Sequence, residues 1–199
     1  HEDANIAAAV RQNLKQRGIR LVLEAKIERI EDEVVQSLVF AIIDGKEERI
    51  PGDLVLVATG RRPATDNLNA EAAGVQRNGH GGIVVDKHLR TTASNIWAMG
   101  DAVGGLQFTY VSYDDYRIVA SSILGDGTRT TENRGAVPSC IFADPPLARV
   151  GMTEQEARDA GFDVVTSIMS YDDLPKPHLL GLQAVLMKGV VDRTTDRIL

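Results

Sequence analysis

The stretch Thr91-Thr92-Ala93-Ser94-Asn95-Ile96-Trp97-Ala98-Met99-Gly100-Asp101 decides how this chain is read. Ile96 to Met99 is an apolar run with the length of a buried strand, and it ends in a glycine and an acid. In an open α/β sheet, ligands bind just beyond the carboxyl ends of the strands. Gly100 lets a ligand or another backbone come close. Asp101, ionised and acceptor-only, can take hydrogen bonds from a hydroxyl-rich ligand such as a sugar. The same dipeptide is also a common way for a strand to end in a turn, so the surrounding chain has to separate the two readings.

Immediately upstream, Gly79 to Gly82 reads as a tight loop with His80 as a solvated residue, and Ile83 to Val85 as the short strand after it. Further back, Leu54 to Ala58 is an almost continuous apolar run, as expected of a strand covered on both faces. It leads directly into Thr59-Gly60-Arg61-Arg62-Pro63. Such a turn, with small residues and fixed positive charge, can approach a phosphate or the edge of a flat ring system, or be a basic surface turn. Downstream of Asp101, Val111 to Leu124 predicts a helix ending at Gly125-Asp126-Gly127, with Thr109 as a candidate cap. Tyr110, Tyr113 and Tyr116 recur every three residues and predict a packed aromatic stripe. Residues 126 to 136 are polar and form the best linker in the chain.

Toward the N-terminus, residues 3 to 17 predict a helix whose apolar stripe is Ile6, Val10 and Leu14. Glu2 and Asp3 suit its N-terminal end, Lys15 and Arg17 its C-terminal end, and Gly18 stops it. Strands are expected at Ile19 to Leu23, 26 to 30 and 34 to 43, with Asp44-Gly45 as a turn. This order makes the second half of an α/β unit whose first half would precede His1. Beyond the linker the character changes. Val137 to Phe142 and Leu147 to Gly151 read as strands separated by Asp144-Pro145-Pro146. Thr153 faces Glu156 in a capping-box pattern, opening a helix that ends near Gly161. Strands Val164 to Met169 and Leu182 to Val191 follow, joined by the Pro-interrupted segment Leu174 to Pro177. Asp192 to Asp196 is a hairpin turn, and the chain stops at Leu199 inside the next strand. The expected fold class is therefore α/β with an α+β C-terminal part.

The formal charge of −6 argues against nucleic acid or an anionic membrane as a partner, and no basic run of five or more occurs. No apolar run approaches the roughly 20 residues that span a bilayer, and the start carries no signal-peptide pattern. A cytoplasmic location is the expectation. The single cysteine, Cys140, excludes an internal disulfide framework and a dithiol pair, and its apolar setting predicts a buried structural thiol. No histidine pair has helical metal-binding spacing. Gly-x-Gly-x-x-Gly between a strand and a helix is absent from the chain.

The order Ala58-Thr59-Gly60-Arg61-Arg62-Pro63, then Gly82-Ile83-Val84-Val85-Asp86, then Thr91 to Asp101 resembles the flavoprotein disulfide reductases, a family that contains dihydrolipoamide dehydrogenase, glutathione reductase and mercuric reductase. Gly104-Gly105-Leu106-Gln107-Phe108-Thr109-Tyr110 and Val150-Gly151-Met152-Thr153-Glu154 are similar to its reactive-chlorine-resistance branch. The resemblance runs from the first helix to Leu199. It implies part of a three-layer FAD/NAD(P)-binding fold followed by the start of a dimerisation domain. Residues 1–52 would be the C-terminal half of the NAD(P)-binding domain, 53–135 the C-terminal segment of the FAD-binding domain, and 136–199 the N-terminal part of the dimerisation domain. By this pattern the chain is an internal piece with both ends missing.

The resemblance also implies an activity and a set of contacts. Hydride would pass from NAD(P)H to FAD and on to a disulfide or a metal ion, in a homodimer. Thr59 and Gly60 would lie in the crossover back into the flavin domain, with Gly60 by the pyridine nucleotide and Arg61 by the flavin. Gly100 and Asp101 would meet the flavin's ribityl chain, and Gln107, Phe108 and Thr109 would begin a helix facing the flavin pyrimidine. Tyr110 falls where some relatives have a histidine near the flavin, and Phe142 would approach the nicotinamide. The family's cysteine pair and its acid–base histidine lie outside this stretch, so no catalytic residue is expected within it. Dihydrolipoamide dehydrogenase is the alternative of the same class. A non-catalytic cofactor-binding or assembly module is the alternative of another class.

Overall fold

The computed structural model describes residues 2–182 and 185–199; Gln183 and Ala184, inside the strand expected at Leu182 to Val191, lie outside the described residues, as does His1. In chain order the elements are α1 (Ala4–Gln16), β1 (Lys26–Asp32), β2 (Ser37–Ile43), β3 (Lys46–Gly52), α2 (Thr109–Leu124), β4 (Ser139–Ile141), β5 (Leu147–Arg149), α3 (Glu154–Asp159), β6 (Val164–Ser170), α4 (Pro175–Leu180), β7 (Leu186–Asp192) and β8 (Arg197–Ile198), with 3-10 turns at Ala70–Ala73, Gly100–Val103 and Tyr171–Asp173. The architecture is α/β, with helices and antiparallel sheets. The chain divides into two compact units, His1–Val57 with Pro138–Leu199, and Ala58–Val137.

In the first unit, α1 forms where expected, and its Ile6, Val10 and Leu14 stripe lines a pocket with Pro145, Pro146 and Leu186. β1, β2 and β3 make an antiparallel meander in which β2 is central. Asp44 and Gly45 both take positive φ, the two-residue turn that matches the twist of a hairpin. β2 supplies the buried Phe40 and Ala41, and the Arg29 guanidinium covers the Phe40 ring at 3.6 Å from its centroid. The run expected from residue 34 begins only at Ser37, because Val34 and Val35 lie in the turn and are fully exposed. β3 has no counterpart in the sequence pattern: Lys46, Glu47, Glu48 and Arg49 carry no apolar signal, and the strand exists through its pairing with β2 from Ser37↔Gly52 to Ile43↔Lys46.

Two expected strands do not form. Ile19 to Leu23 and Leu54 to Ala58 have extended sequence character but no ladder among the described residues, and Leu54 and Leu56 are 91% and 90% exposed. A strand is made by its neighbours' N–H and C=O groups, and no described segment offers them here.

The C-terminal part of this unit is a β4–β5 hairpin, with a cis Asp144-Pro145 bond between its strands, and the antiparallel sheet β6-β7-β8. Cys140, on β4 of this two-stranded hairpin, is half-buried rather than buried. The capping box is present: the Glu156 N–H donates to Thr153 Oγ1 at 3.1 Å, and the Thr153 N–H donates to Glu156 Oε2 at 2.7 Å. α3 then buries Ala157 against Val164 and Val190, with Phe162 and Leu199 beside them. Pro175 takes the first position of α4, where its missing N–H costs nothing.

One buried cation organises this part. The Lys188 ammonium on β7, 6% exposed, lies 2.9 Å from Asp3 and 2.7 Å from Glu154. Asp3 also accepts the Glu154 N–H at 3.2 Å. It thus serves the start of α3, while making no side-chain cap on its own helix α1. Burial acts to raise the Asp3 carboxyl, but Lys188 and the Glu154 and Gln155 N–H groups outweigh it and hold the group below its ordinary value. Burial likewise acts to lower Lys188, and the two carboxylates more than offset it.

The second unit has a small core of Ala70, Val75, Ile83 and Ala98, lined by Val85, Ala93, Ile96, Ala102 and Val103. The strands expected at Ile83 to Val85 and Ile96 to Met99 are single bridges rather than ladders, namely Arg77↔Ile83, Val85↔Thr91 and Arg90↔Trp97. Local returns of the chain satisfy them instead, with Thr91 N–H to Ile96 O at 2.9 Å and Ala98 N–H to Leu89 O at 3.1 Å. Gly82 is needed for close approach, since a Cβ there would lie 2.3 Å from the Val103 carbonyl oxygen.

α2 buries Val111, Asp115 and Ile118. The tyrosine stripe is on the other side: Tyr110, Tyr113 and Tyr116 are about half exposed, and Tyr113 stacks on Tyr116 rather than entering a core. Residues 126 to 136, expected as a linker, are tied down by Arg129 to Asp114 and by Arg134 to Asp114 and Asp115.

Candidate functional site

Three segments of the second unit converge around Arg61. The turn that carries it follows Gly60, whose φ of 111° only glycine adopts readily. Pro63 is buried, and Gly104, also at positive φ, leaves room for it: a Cβ at Gly104 would come within 3.1 Å of the Pro63 ring. With its turn fixed in this way, the Arg61 guanidinium donates to the Gln107 carbonyl at 3.0 Å and stands 3.7 Å from the Asp101 carboxylate.

Asp101 lies in the 3-10 turn Gly100–Val103, entered from an extended Met99. Its side chain is half exposed and keeps acceptor capacity, since Arg61 is beyond hydrogen-bond range. Gly100 takes φ 64°, and its N–H donates to Asp115 Oδ2 at 2.8 Å. A Cβ on Gly100 would meet Ser112 Oγ at 2.8 Å, so the turn is pressed against the first turns of α2.

α2 starts next to Arg61's partner. Phe108, not Thr109, is the N-cap: its backbone is extended, its carbonyl receives the Val111 and Ser112 N–H groups at 3.0 Å, and no side chain caps the helix. Thr109 is the first helical residue, because the preceding aromatic already satisfies the geometry through its carbonyl. The helix start therefore presents the positive end of its dipole beside the loop that holds Asp101 and Arg61. Phe108 and Tyr110 stack at 5.2 Å with nearly parallel rings.

The structure thus brings Thr59, Gly60, Arg61, Gly100, Asp101, Gln107, Phe108, Thr109 and Tyr110 into one unit, with Arg61 linking the three segments. Phe142 belongs to the other unit, follows β4, and is 94% exposed. An open depression lined by Arg61, Arg77, His80 and Gln107 adjoins the turn. His80 is exposed, as a loop residue should be. Within the depression Glu71 is held below its ordinary value by its own N–H and by Arg77. Among the described residues no cluster of three or more His, Cys, Asp or Glu side chains can hold a metal ion, and no helix is long and apolar enough to cross a membrane.

Sequence reasoning missed the residues behind the site. Asp114 and Asp115 are adjacent acids in the middle of α2, and Asp115 is 4% exposed on the same face as Val111 and Ile118. Arg134 Nε lies 2.9 Å from Asp114 Oδ2, and Arg134 also pairs with Asp115. The available signal was an acid on an apolar helix face with two arginines in the polar segment that follows.

The chain is similar to known proteins along its length. A family model described as pyridine nucleotide-disulphide oxidoreductase matches residues 1–115, and the model of that family's dimerisation domain matches residues 137–199. The chain is 43% identical over 198 residues to the probable pyridine nucleotide-disulfide oxidoreductase RclA of Escherichia coli, covering 100% of this chain and 44% of that protein. It is 34% identical to a mercuric reductase of Staphylococcus aureus (99% and 36% covered) and 30% identical to a dihydrolipoyl dehydrogenase of Mycobacterium leprae (100% and 43% covered). The solved structure of a Cu(II) complex of the HOCl-induced flavoprotein disulfide reductase RclA from Escherichia coli superposes with a TM-score of 0.89, covering 100% of this chain and 44% of that one. The chain spans less than half the length of these relatives. With a family model matching more than half of its residues and the dimerisation model matching the rest of its C-terminal part, the chain belongs to the pyridine nucleotide-disulphide oxidoreductase family.

Proposed function

We propose that this chain contributes the ribityl-facing and pyrimidine-facing side of the flavin site in an FAD-dependent NAD(P)H oxidoreductase, together with the beginning of its homodimer face. The observation that carries this reading is the convergence of Asp101, Arg61 and the start of α2 around one turn. These groups fit a flavin: a half-exposed carboxylate suits a polyhydroxyl chain, and a cation beside a helix start suits an electron-rich ring edge. FAD, when bound, supplies a hydride acceptor for NAD(P)H and an electron donor to the next acceptor.

The chain's own residues bind and orient. Asp101 accepts a ribityl hydroxyl, and Gly100 lets the turn that carries it press against Ser112 of α2. The backbone N–H groups of Gln107 and Phe108, which lead into α2, and of Thr109, its first residue, stabilise negative charge on the pyrimidine edge. Arg61 adds fixed positive charge. A Cβ at Gly60 would meet nothing within 4 Å, which leaves space along Thr59 for the pyridine nucleotide. Tyr110 stacks on Phe108 at the edge of the flavin side, and Phe142 serves the nicotinamide side. The residue boundaries 1–52, 53–135 and 136–199 divide the NAD(P)-binding, FAD-binding and dimerisation parts.

The electron acceptor is a disulfide or a metal ion, in a cytoplasmic enzyme. The 43% identity to RclA supports that branch over dihydrolipoamide dehydrogenase, at 30%. The test is Asp101→Ala in the full-length protein, with FAD affinity measured by equilibrium dialysis. Loss of the acceptor should weaken FAD binding by about 1–3 kcal/mol. Unchanged affinity rejects this role for Asp101. A full-length protein that neither carries nor takes up flavin overturns the enzyme reading in favour of an assembly module.

A further inference from the structure

The flavin reading leaves Asp115 unused, although it is the acid most deeply placed in this unit. It is 4% exposed, on the face of α2 that Val111 and Ile118 also bury. An apolar residue at that position would pack the helix at no electrostatic cost, whereas a buried carboxylate is costly unless it is paired and hydrogen-bonded. Both of its oxygens are engaged. Oδ1 pairs with the Arg134 guanidinium, and Oδ2 accepts the Gly100 N–H at 2.8 Å. Arg134 is itself only 15% exposed and is held from its other side by Asp114 at 2.9 Å.

The acceptor at Gly100 has a direct consequence for the next residue. Gly100 sits at φ 64°, a left-handed state that glycine adopts readily but does not hold by itself, and it opens the 3-10 turn that holds Asp101. The hydrogen bond from its N–H fixes the plane of the Met99–Gly100 peptide. Ser112, three residues before Asp115 and on the same helical face, stands where a Gly100 Cβ would be and so bounds the other side of the turn. The direction of the Asp101 carboxylate is then set from α2.

We infer that Asp115, backed by Arg134, is a positioning residue that aims Asp101 at the cofactor hydroxyl through the Gly100 N–H. This rests on the reading that Asp101 contacts FAD, and it goes further by naming what holds Asp101 in place. Arg134 comes from the polar segment 126–136, so that segment is a brace for the cofactor turn rather than a slack connection.

A double-mutant cycle in the full-length protein tests this. FAD dissociation constants are measured by equilibrium dialysis for Asp101→Ala, Asp115→Asn and the double variant, with visible circular dichroism of the bound flavin as a second readout. Asp115→Asn should weaken FAD binding about 10-fold and alter the flavin dichroism. In the Asp101→Ala background the same change should have no further effect, because both substitutions then act on one contact. Additive losses, or an unchanged affinity in Asp115→Asn, overturn the inference while leaving the role of Asp101 intact. An Asp101→Ala variant with normal FAD affinity overturns the underlying reading and the inference with it. If Asp115→Asn does not fold, Arg134→Lys enters the same cycle, since it keeps the charge and loses only the planar fork. Failure of both variants to fold marks the pair as a purely structural element and overturns the inference.

Discussion

Each compact unit buries a small set of paired charges, and the two sets are built differently. In the first, one ammonium, Lys188, sits between two carboxylates, Asp3 and Glu154, and the set ties the start of α1 to the start of α3 and to β7. In the second, two arginines face two adjacent carboxylates, and one of those carboxylates spends an oxygen on the N–H of Gly100, next to the candidate flavin-binding acid. A lysine is a point charge that can be shared among chain ends in any arrangement, so it serves as a clamp. An arginine fork fixes the orientation of its partner, so it serves where direction matters. Under the proposed flavin reading, the first set bears on folding alone and the second also on the site.

The largest effect should come from breaking the first set. Lys188→Met leaves Asp3 and Glu154 facing each other without their cation. It should lower stability in denaturant titration by about 2–3 kcal/mol, below the full cost of a broken buried pair because part of the set still reaches water. Its effect should be on stability, not on the coupling between Asp115 and Asp101. A smaller effect should follow from Gly100→Ala in the second set. The left-handed backbone and the contact with Ser112 make the change cost about 1–2 kcal/mol, and here the loss should appear in flavin affinity as well as in melting temperature. Equal loss in stability with flavin affinity untouched would erase the contrast between the two sets.

The smallest effect concerns pH and sharpens the clamp side of the comparison. The Asp3 carboxyl is lower in the folded state than in the unfolded chain. Its contribution is therefore complete above the ordinary aspartate value of about 3.9. It is lost as pH falls through the folded value. Lys188, raised in the folded state, contributes fully below the ordinary lysine value of about 10.4 and loses that contribution as pH rises through its folded value. Melting temperatures followed from neutral pH into the acid range should fall less steeply in Asp3→Asn than in the parent. Parallel curves would remove Asp3 from the clamp.

Much of the local structure is legible from residue order. Helix α1 with its Ile6, Val10 and Leu14 stripe, the Asp44-Gly45 turn and the Thr153 to Glu156 capping box are governed by neighbours within a few positions, and all appear as the pattern implies. The family resemblance carried by Gly60-Arg61-Arg62-Pro63 and Gly100-Asp101 agrees with the family models that match the chain. Elements that depend on a distant partner are not legible in the same way. The charged segment β3 is a strand because β2 lies alongside it, and the apolar run Leu54 to Ala58 is not, because nothing among the described residues pairs with it. The tyrosines of α2 show the same limit: their spacing marks one helical face, but which face is covered is settled by what packs on it.

Residue order alone settles the helices, turns and caps of this kind, and the presence of a glycine–acid turn and a basic turn whose residue types suit a phosphate- or hydroxyl-bearing ligand. These follow from backbone sterics and short-range hydrogen bonding, which act between residues close in the chain. It takes the folded chain to bring Arg61 to both Gln107 and Asp101, to make Phe108 rather than Thr109 the cap of α2, and to stand Asp115 and Arg134 behind Gly100. The hydrogen bonds and ion pairs that join Arg61 to Gln107 and Asp101, and Asp115 to Gly100 and Arg134, link residues 15 to 46 positions apart. Their strength depends on burial and on the direction of approach, and both are properties of the folded chain.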